Sequence, residues 1–209
     1  MGRSVGSHNP GYEERRRALA AAVIDRLTAE DGPTVSLRRL AEVAGVSVPT
    51  LRHYFGDREG LVVAALAEML RQGGPYLEEA ASPSPGDLRG SLLDLLRRTA
   101  MGWRFGVGRL YQGGLALGLG DGRLGPAYVD NLLEPLLQAV EARLAKHHAW
   151  GEARVEHPRF AALQLVSPLV LALLHQDGLG GAECRPLDLD AFIVDLADGF
   201  VRAHALAPA

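Results

Sequence analysis

One short segment, residues 36–61, combines several side chains suited to bind nucleic acid. Arginine pairs in bidentate fashion with guanine, hydroxyl groups pair with several bases, and small apolar side chains contact the thymine methyl group. The residues expected on these grounds to face DNA bases are Arg38, Val48, Pro49 and Arg52. Thr50 is expected to reach either a base or a phosphate, and His53 lies on or near the same outer face. Tyr54 and Arg58 are expected to hold phosphates, which would fix the position of the segment along the duplex.

The spacing of the same segment predicts two short helices joined by a tight turn. Ser36 and Ser47 each stand where an N-cap is expected, and both helix ends could direct backbone N–H groups at phosphates. Gly45 is expected to end the first helix, because glycine reaches left-handed backbone geometry at little cost. Such a pair can be a plain helical corner, but the outward arginine and threonine side chains favour a DNA-reading helix-turn-helix.

The segment resembles the N-terminal domain of tetracycline-repressor (TetR) family transcriptional regulators. The resemblance covers roughly residues 15–70 and rests on a long first helix, the L-A-x-x-A-G-V-S turn, the P-T-L-x-x-Y-F recognition helix and the D-R-E-G-L start of a fourth helix. Family members mostly carry tyrosine at the position of Arg52 and lysine at that of Arg58. Because arginine can also reach a guanine edge, the first departure implies altered sequence preference, whereas the second keeps a phosphate contact.

The resemblance also implies how such a protein works. It implies a homodimer formed by the last two helices, with two recognition helices that read the half-sites of a pseudo-palindromic DNA operator. It further implies a small-molecule ligand in the second domain that changes the spacing of these helices and releases a repressor. The sign of regulation stays open, since the position of the operator decides between repressor and activator.

The predicted fold is all-α, with an N-terminal three-helix helix-turn-helix DNA-binding domain plus a larger C-terminal helical ligand-binding and dimerisation domain. The first helix is expected from about Tyr12 to Asp31, and the fourth from Asp57 to about Gln72, where Gly73-Gly74-Pro75 should end it. The predicted organisation is a disordered tail over 1–10, the helix-turn-helix domain over 11–56, a connecting helix and linker over 57–86, and a regulatory and dimerisation domain over 87–209.

Four helices are expected in the second domain, around a stretch with many glycines that should bend or loosen helices around a cavity. Their predicted ranges are Leu88–Phe105, Ala127–His148, Pro158–His175 and Asp188–Ala205. The helix from Pro158 is apolar nearly all round and the last one has a broad apolar stripe, so we expect both to be covered by a partner subunit.

A ligand cavity in this domain is expected to take an apolar or aromatic molecule. The candidate ligand-binding residues are Trp103, Arg104, Tyr111, Gln112, Tyr128 and His175, with Phe105, Leu115 and Leu169 as further apolar candidates. Each of them could instead be ordinary core or surface.

Composition describes an ordinary globular chain of 209 residues, with 47% hydrophobic residues and a net charge of −3. The single cysteine, Cys184, excludes an intramolecular disulfide and fits a reducing compartment, and its thiol is either incidental or a redox switch beside Arg185. The N-terminus lacks a signal-peptide core, and the apolar stretch Leu163–Leu174 is short for a membrane helix, so a cytoplasmic protein without a membrane span is expected.

No metal, cofactor or enzymatic activity is expected. His147 and His148 are adjacent and would point about 100° apart on a helix, and no phosphate loop or catalytic motif occurs. The arginines at 15–17 could neutralise phosphates or form a solvated helix end. The rival hypothesis is a helical small-molecule-binding protein or enzyme whose helix-turn-helix is unused.

Overall fold

The computed structural model describes residues 10–29 and 31–206, and its regular structure there is helical, with one isolated bridge between Ala153 and Ala205. The predicted disordered tail lies outside the described residues except for Pro10, which begins the first helix. The all-α prediction is therefore confirmed for the described part of the chain.

The N-terminal part contains four short helices and a single turn of 3-10 helix. The helices are α1 (Pro10–Ala22), α2 (Ile24–Leu27), α3 (Leu37–Val43) and α4 (Val48–Phe55), and the 3-10 turn is Gly32–Thr34. The prediction of one helix to Asp31 was wrong, because the first helix is interrupted at Val23 and α2 ends at Leu27. Val23 and Ile24 are β-branched, which disfavours a helix interior.

A long helix, α5 (Arg58–Ala80), follows without the predicted stop at Gln72. It continues through Gly73, Gly74 and Pro75, so the connector shrinks to residues 81–87. Tertiary contacts outweigh the local cost: Leu77 packs against the C-terminal core, and the Tyr76 hydroxyl lies 3.3 Å from the Thr99 hydroxyl. Helix propensity is a weak signal wherever packing supports the helix.

The C-terminal part is a bundle whose helices are interrupted by one kink and two π-helical turns. Its helices are α6 (Leu88–Gly102), α7 (Gly108–Gly118), α8 (Leu124–Tyr128), α9 (Glu134–Ala149), α10 (Pro158–Leu173), α11 (Gly181–Cys184) and α12 (Leu189–His204). The π-helical turns are Val129–Leu133 and Leu174–Gly178, whereas Trp103–Val107 is a kink between α6 and α7 in which Phe105 and Gly106 leave helical geometry. The predicted glycine-rich stretch is therefore largely helix α7, and the predicted helix from Ala127 begins earlier, as α8.

Two hydrophobic cores organise the described residues. One belongs to the C-terminal bundle, and the other is built from α1 to α5 together with Leu110, Leu124, Ala127 and Tyr128. The second core therefore extends from the N-terminal helices into α7 and α8, which places these two helices between the two parts of the molecule.

The segment Pro158–Gly178, which is α10 with its π-helical turn, is long and apolar enough to cross a membrane by length and composition alone. The expectation from Leu163–Leu174 underestimated this length, since the helix runs for 21 residues. A core helix of a soluble protein meets the same criteria. In this bundle Arg159 pairs with Glu134 of α9 at 2.6 Å, and the inner face of α10 is buried.

A buried polar network fixes the connector on α9. The Arg143 guanidinium donates to the carbonyl oxygens of Glu79 (3.1 Å) and Ala80 (2.5 Å) and to the Ser91 hydroxyl (2.6 Å). The fully buried His147 ring lies between that hydroxyl, at 2.8 Å from Nε2, and Glu152, at 2.6 Å from Nδ1. The orphan carbonyls at the end of α5 are thus satisfied by side chains of a distant helix.

Replacing Arg143 by methionine should lower the free energy of unfolding by about 3 kcal/mol, because buried carbonyl oxygens lose their donors. Lys146→Met is the matched control on the same helix: its amine bonds the Ala81 carbonyl at 2.8 Å, but in an exposed setting, so little change is expected. Urea unfolding followed by circular dichroism measures both. Equal losses of unfolding free energy in the two variants would contradict the stabilising role of the buried Arg143 hydrogen bonds.

Candidate nucleic-acid interface

Helices α3 and α4 form a capped corner, as the sequence predicted. The Ser36 hydroxyl accepts from the Arg39 amide at 3.3 Å, and the Ser47 hydroxyl accepts from the Thr50 amide at 3.2 Å. Between them Gly45 has a φ of +66°, so the turn uses the left-handed conformation that favours glycine. These three local features are confirmed.

The two faces of this corner differ sharply. Leu40, Leu51 and Phe55 are buried in the N-terminal core. The outer face exposes Arg38, Pro49, Arg52 and His53, while Val48 and Thr50 are half-buried at its leading end. This is the arrangement of a helix whose outer side chains can enter a major groove.

The two arginines expected to contact bases have different surroundings. The Arg38 side chain is 86% exposed, and its Nε lies 3.6 Å from Glu42, a carboxylate that also pairs with Arg39 at 2.9 Å. Hydrogen bonding to Arg39 lowers the pKa of Glu42, so this carboxylate is anionic at neutral pH. Arg52 is exposed and makes no hydrogen bond or ion pair with another described residue, so its guanidinium is available to a ligand.

An aromatic cluster holds the recognition helix α4 on α1. Tyr54 stacks on Tyr12 with ring centroids 4.8 Å apart, and the His53 ring lies edge-on to both. The Arg16 guanidinium lies over the Phe55 ring at 5.4 Å, so this arginine packs on α4, while Arg15 and Arg17 are exposed. Sequence reasoning missed Tyr12, because a single tyrosine near the start of a helix gives no periodic signal.

Arg58 lies at the start of α5 and is partly buried, with a side chain that is 19% exposed. Its Nε donates to the Val35 carbonyl at 2.7 Å, and its terminal nitrogen lies 3.6 Å from Glu59. The side chain therefore ties α5 to the segment before α3.

Asp57 connects this corner to the C-terminal part. Its carboxylate accepts from the Gly60 amide at 2.7 Å, which caps α5, and it also pairs with Arg123 at 2.9 and 2.7 Å. The Gly60 amide and then Arg123 lower the pKa of Asp57. Arg123 directly precedes α8, and the 66 residues between the partners hid this contact from sequence reasoning.

A cavity of about 270 Å³ lies between α5, α6, α7, α9 and α10. Of the six candidate ligand-binding residues, Trp103 and Tyr111 line it. Of the other four, Tyr128 packs in the N-terminal core, Arg104 lies 3.7 Å from Asp177, Gln112 lies beside Gly178, and the exposed His175 contacts Gln176. Phe105 is also exposed, and Leu115 and Leu169 are not part of the lining.

The α5 side of the cavity was missed because α5 was expected to end at Gln72. Gly73, Tyr76 and Leu77 lie beyond that point and line the cavity. Burial raises the pKa of Tyr76, and it raises the pKa of Tyr111 to about 12, so both phenols are neutral at physiological pH. Among the described residues no group of histidine, cysteine and carboxylate side chains is placed to hold a metal ion.

Comparisons with known proteins agree with this geometry. Residues 19–65 match the sequence model of the tetR family of bacterial regulatory proteins. No curated protein sequence is significantly similar to the chain.

The fold is shared with solved regulators over almost the whole chain. A tetR-family transcriptional regulator from Streptomyces coelicolor is 25% identical, with a TM-score of 0.64 over 91% of this chain and 80% of its own. One from Mesorhizobium loti is 18% identical, with a TM-score of 0.68 over 96% of this chain and 100% of its own. The complex of SmeT with triclosan is 18% identical, with a TM-score of 0.62 over 92% of each chain.

The capped helix-turn-helix, the family match that spans it and the shared fold lead to one conclusion. The chain is a DNA-binding transcriptional regulator whose residues 19–65 match the DNA-binding domain of the tetR family.

Proposed function

We propose that the protein is a homodimeric repressor that holds a pseudo-palindromic operator through α4 and releases it when a small apolar ligand fills the cavity. The observation that carries the DNA-binding part is the exposed guanidinium of Arg52, which pairs with no other described residue, on the outer face of the capped recognition helix α4. As a repressor of chromosomal genes it works in the cytoplasm, and it acts by binding and not by catalysis.

The DNA contacts divide by chemistry. We assign Arg38, Thr50 and Arg52 to base edges and Val48 and Pro49 to thymine methyl groups. Phosphates are assigned to Tyr54, Arg58, the imidazole of His53, and the amide groups at the helix ends that Ser36 and Ser47 cap. In this scheme Arg38 gives up its 3.6 Å contact with Glu42 when the protein binds DNA. A DNA sequence that offers Arg38 no partner does not replace that contact and therefore binds more weakly.

Dimerisation is assigned to α10 and α12. Helix α10 is buried on its inner face yet exposes Phe160 (61%) and Leu171 (66%) on the opposite side. Large apolar side chains repeated along one face of a helix indicate a protein interface. A second copy of the same two helices would cover them in a four-helix bundle with twofold symmetry.

Helix α5 forms one wall of the cavity and also supports the recognition helix α4. Met69, Leu70 and Gly73 of α5 line the cavity, as do Asn131 and Leu132 in the π-helical turn after α8. At its other end α5 begins at the Asp57 cap, one residue past the turn that ends α4, and Arg123 fixes that cap to α8. A ligand that prefers a shifted α5 or α8 would therefore move α4, and only such a preference can change operator affinity.

The first prediction concerns sequence preference. Selection from a library of random DNA duplexes should give a pseudo-palindrome with the wild-type protein. Arg52→Ala should relax preference at one position in each half-site and weaken binding to the selected duplex by about 1–3 kcal/mol. Arg97→Ala, an exposed arginine on α6, is the control and should change neither. An equal loss on every sequence would rule out a base contact by Arg52.

The second prediction concerns the dimer. Leu171→Glu should convert the dimer to a monomer in size-exclusion chromatography with light scattering, because a charge at the centre of an apolar interface loses its hydration. Leu119→Glu, at an equally exposed leucine after α7, should remain dimeric. A dimer that persists in Leu171→Glu would place the interface elsewhere.

The third prediction concerns the clamp at Asp57. Arg123→Ala should broaden the distribution of distances between spin labels on the two α4 helices of the ligand-free dimer, because α5 and α8 are no longer tied together. Double electron–electron resonance measures this distance, and Arg97→Ala should leave it unchanged. Unchanged distances in Arg123→Ala would show that the clamp does not position α4.

A further inference from the structure

We propose that the cavity selects an uncharged ring compound that carries one hydrogen-bond donor, as a phenol does, over its ether and carboxylate analogues. The inference rests on the proposed function in one respect, since it takes this cavity to be the effector site. It goes further by naming the ligand chemistry from the atoms that line the wall.

The size and walls of the cavity suit one substituted ring. An engineered cavity of about 150 Å³ holds benzene, so a volume of about 270 Å³ leaves space for a ring and a short branched substituent. The Trp103 and Tyr111 rings stand 5.2 Å apart at 44°, which gives the cavity an aromatic wall. Aromatic ligands gain from tilted and offset contacts with such rings.

The wall offers no countercharge. None of the described residues that line the cavity has a charged side chain, and its two tyrosines are neutral at physiological pH. A carboxylate or an amine would lose its hydration on entry and gain no ion pair in return. The wall therefore selects against charged molecules.

Two polar side chains on the wall, Tyr76 and Asn131, keep an acceptor atom. Thr99 donates its hydroxyl hydrogen to the Leu95 carbonyl at 2.9 Å, so in the 3.3 Å contact the donor is Tyr76, whose oxygen keeps its lone pairs. The Asn131 amide nitrogen donates to the Ala127 carbonyl at 2.8 Å, which leaves its amide oxygen as a free acceptor. A ligand that donates one hydrogen bond fits this pattern better than one that only accepts.

The Tyr111 hydroxyl can donate or accept a hydrogen bond with a ligand in the cavity. The Tyr111 side chain is 8% exposed, and its hydroxyl has no hydrogen-bond partner among the described residues. Among the described residues no fully buried side-chain oxygen lacks a partner, so the Tyr111 hydroxyl keeps some accessible surface. A ligand hydroxyl in the cavity would pair with it as donor or acceptor. We therefore assign Tyr111 the role of orienting the polar group of the ligand.

The test compares three probes of similar size and shape: 4-tert-butylphenol, 4-tert-butylanisole and 4-tert-butylbenzoate. Trp103 fluorescence, in a Trp150→Phe background that removes the other tryptophan, reports their binding to the full-length protein without DNA. We expect the phenol to bind with a Kd about five- to tenfold lower than that of the anisole, as the gain of one hydrogen bond implies. The benzoate should show no saturable binding.

Two tyrosine variants test which residue causes the preference for the phenol over the anisole. Tyr111→Phe should reduce the preference for the phenol to about twofold or less, whereas Tyr128→Phe should keep it, because that equally buried tyrosine lies in the N-terminal core. Equal binding of phenol and anisole, tighter binding of the benzoate, or no binding of any probe would overturn the inference.

The two proposals fail in different ways. A protein that selects a palindromic operator but shows no phenol preference contradicts this inference alone. A protein that prefers the phenol but selects no DNA sequence contradicts the proposed function alone.

Discussion

The hydrophobic core that α1 to α5 share with α7 and α8 holds the two parts together, and the carboxylate of Asp57 adds a polar contact between them. One side chain caps the long helix α5 through the Gly60 amide and binds Arg123 at the start of α8. Because α4 ends only two residues earlier, the position of the recognition helix is set from the same point. Capping and ion pairing at one carboxylate thus connect the helix-turn-helix corner to the C-terminal bundle.

Helix α5 links the Asp57 cap to the cavity and to the far end of the bundle. It runs 23 residues, from the Asp57 cap to the Glu79 and Ala80 carbonyls that accept hydrogen bonds from Arg143. On the way it passes two glycines and a proline that would end an isolated helix. Its middle lines the cavity and its start adjoins α4. The kink at Trp103–Val107 and the two π-helical turns add local irregularity in the same bundle, and the kink and the turn Val129–Leu133 contribute residues to the cavity wall. Such turns are often found at functional sites in helices.

Local signals in the sequence predicted local structure well. The caps at Ser36, Ser47 and Asp57 and the left-handed Gly45 follow from side chains that act within four residues, and all four are confirmed. The end of α5 was mispredicted because packing of Leu77 against a distant helix outweighs the glycines. Because of that error, the α5 residues that line the cavity were not predicted. The Asp57–Arg123 pair was missed because its partners lie 66 positions apart in the sequence. The DNA contacts and the ligand-binding residues remain predictions.

The central claim is that the outer face of α4 recognises a specific DNA sequence. The most direct measurement is fluorescence anisotropy with labelled DNA from upstream of the protein's own gene, at two salt concentrations and with excess non-specific competitor. The account predicts binding that weakens with salt, as phosphate contacts require, and that survives the competitor. If that DNA, together with duplexes selected from a random library, loses all binding under competitor, the account is contradicted.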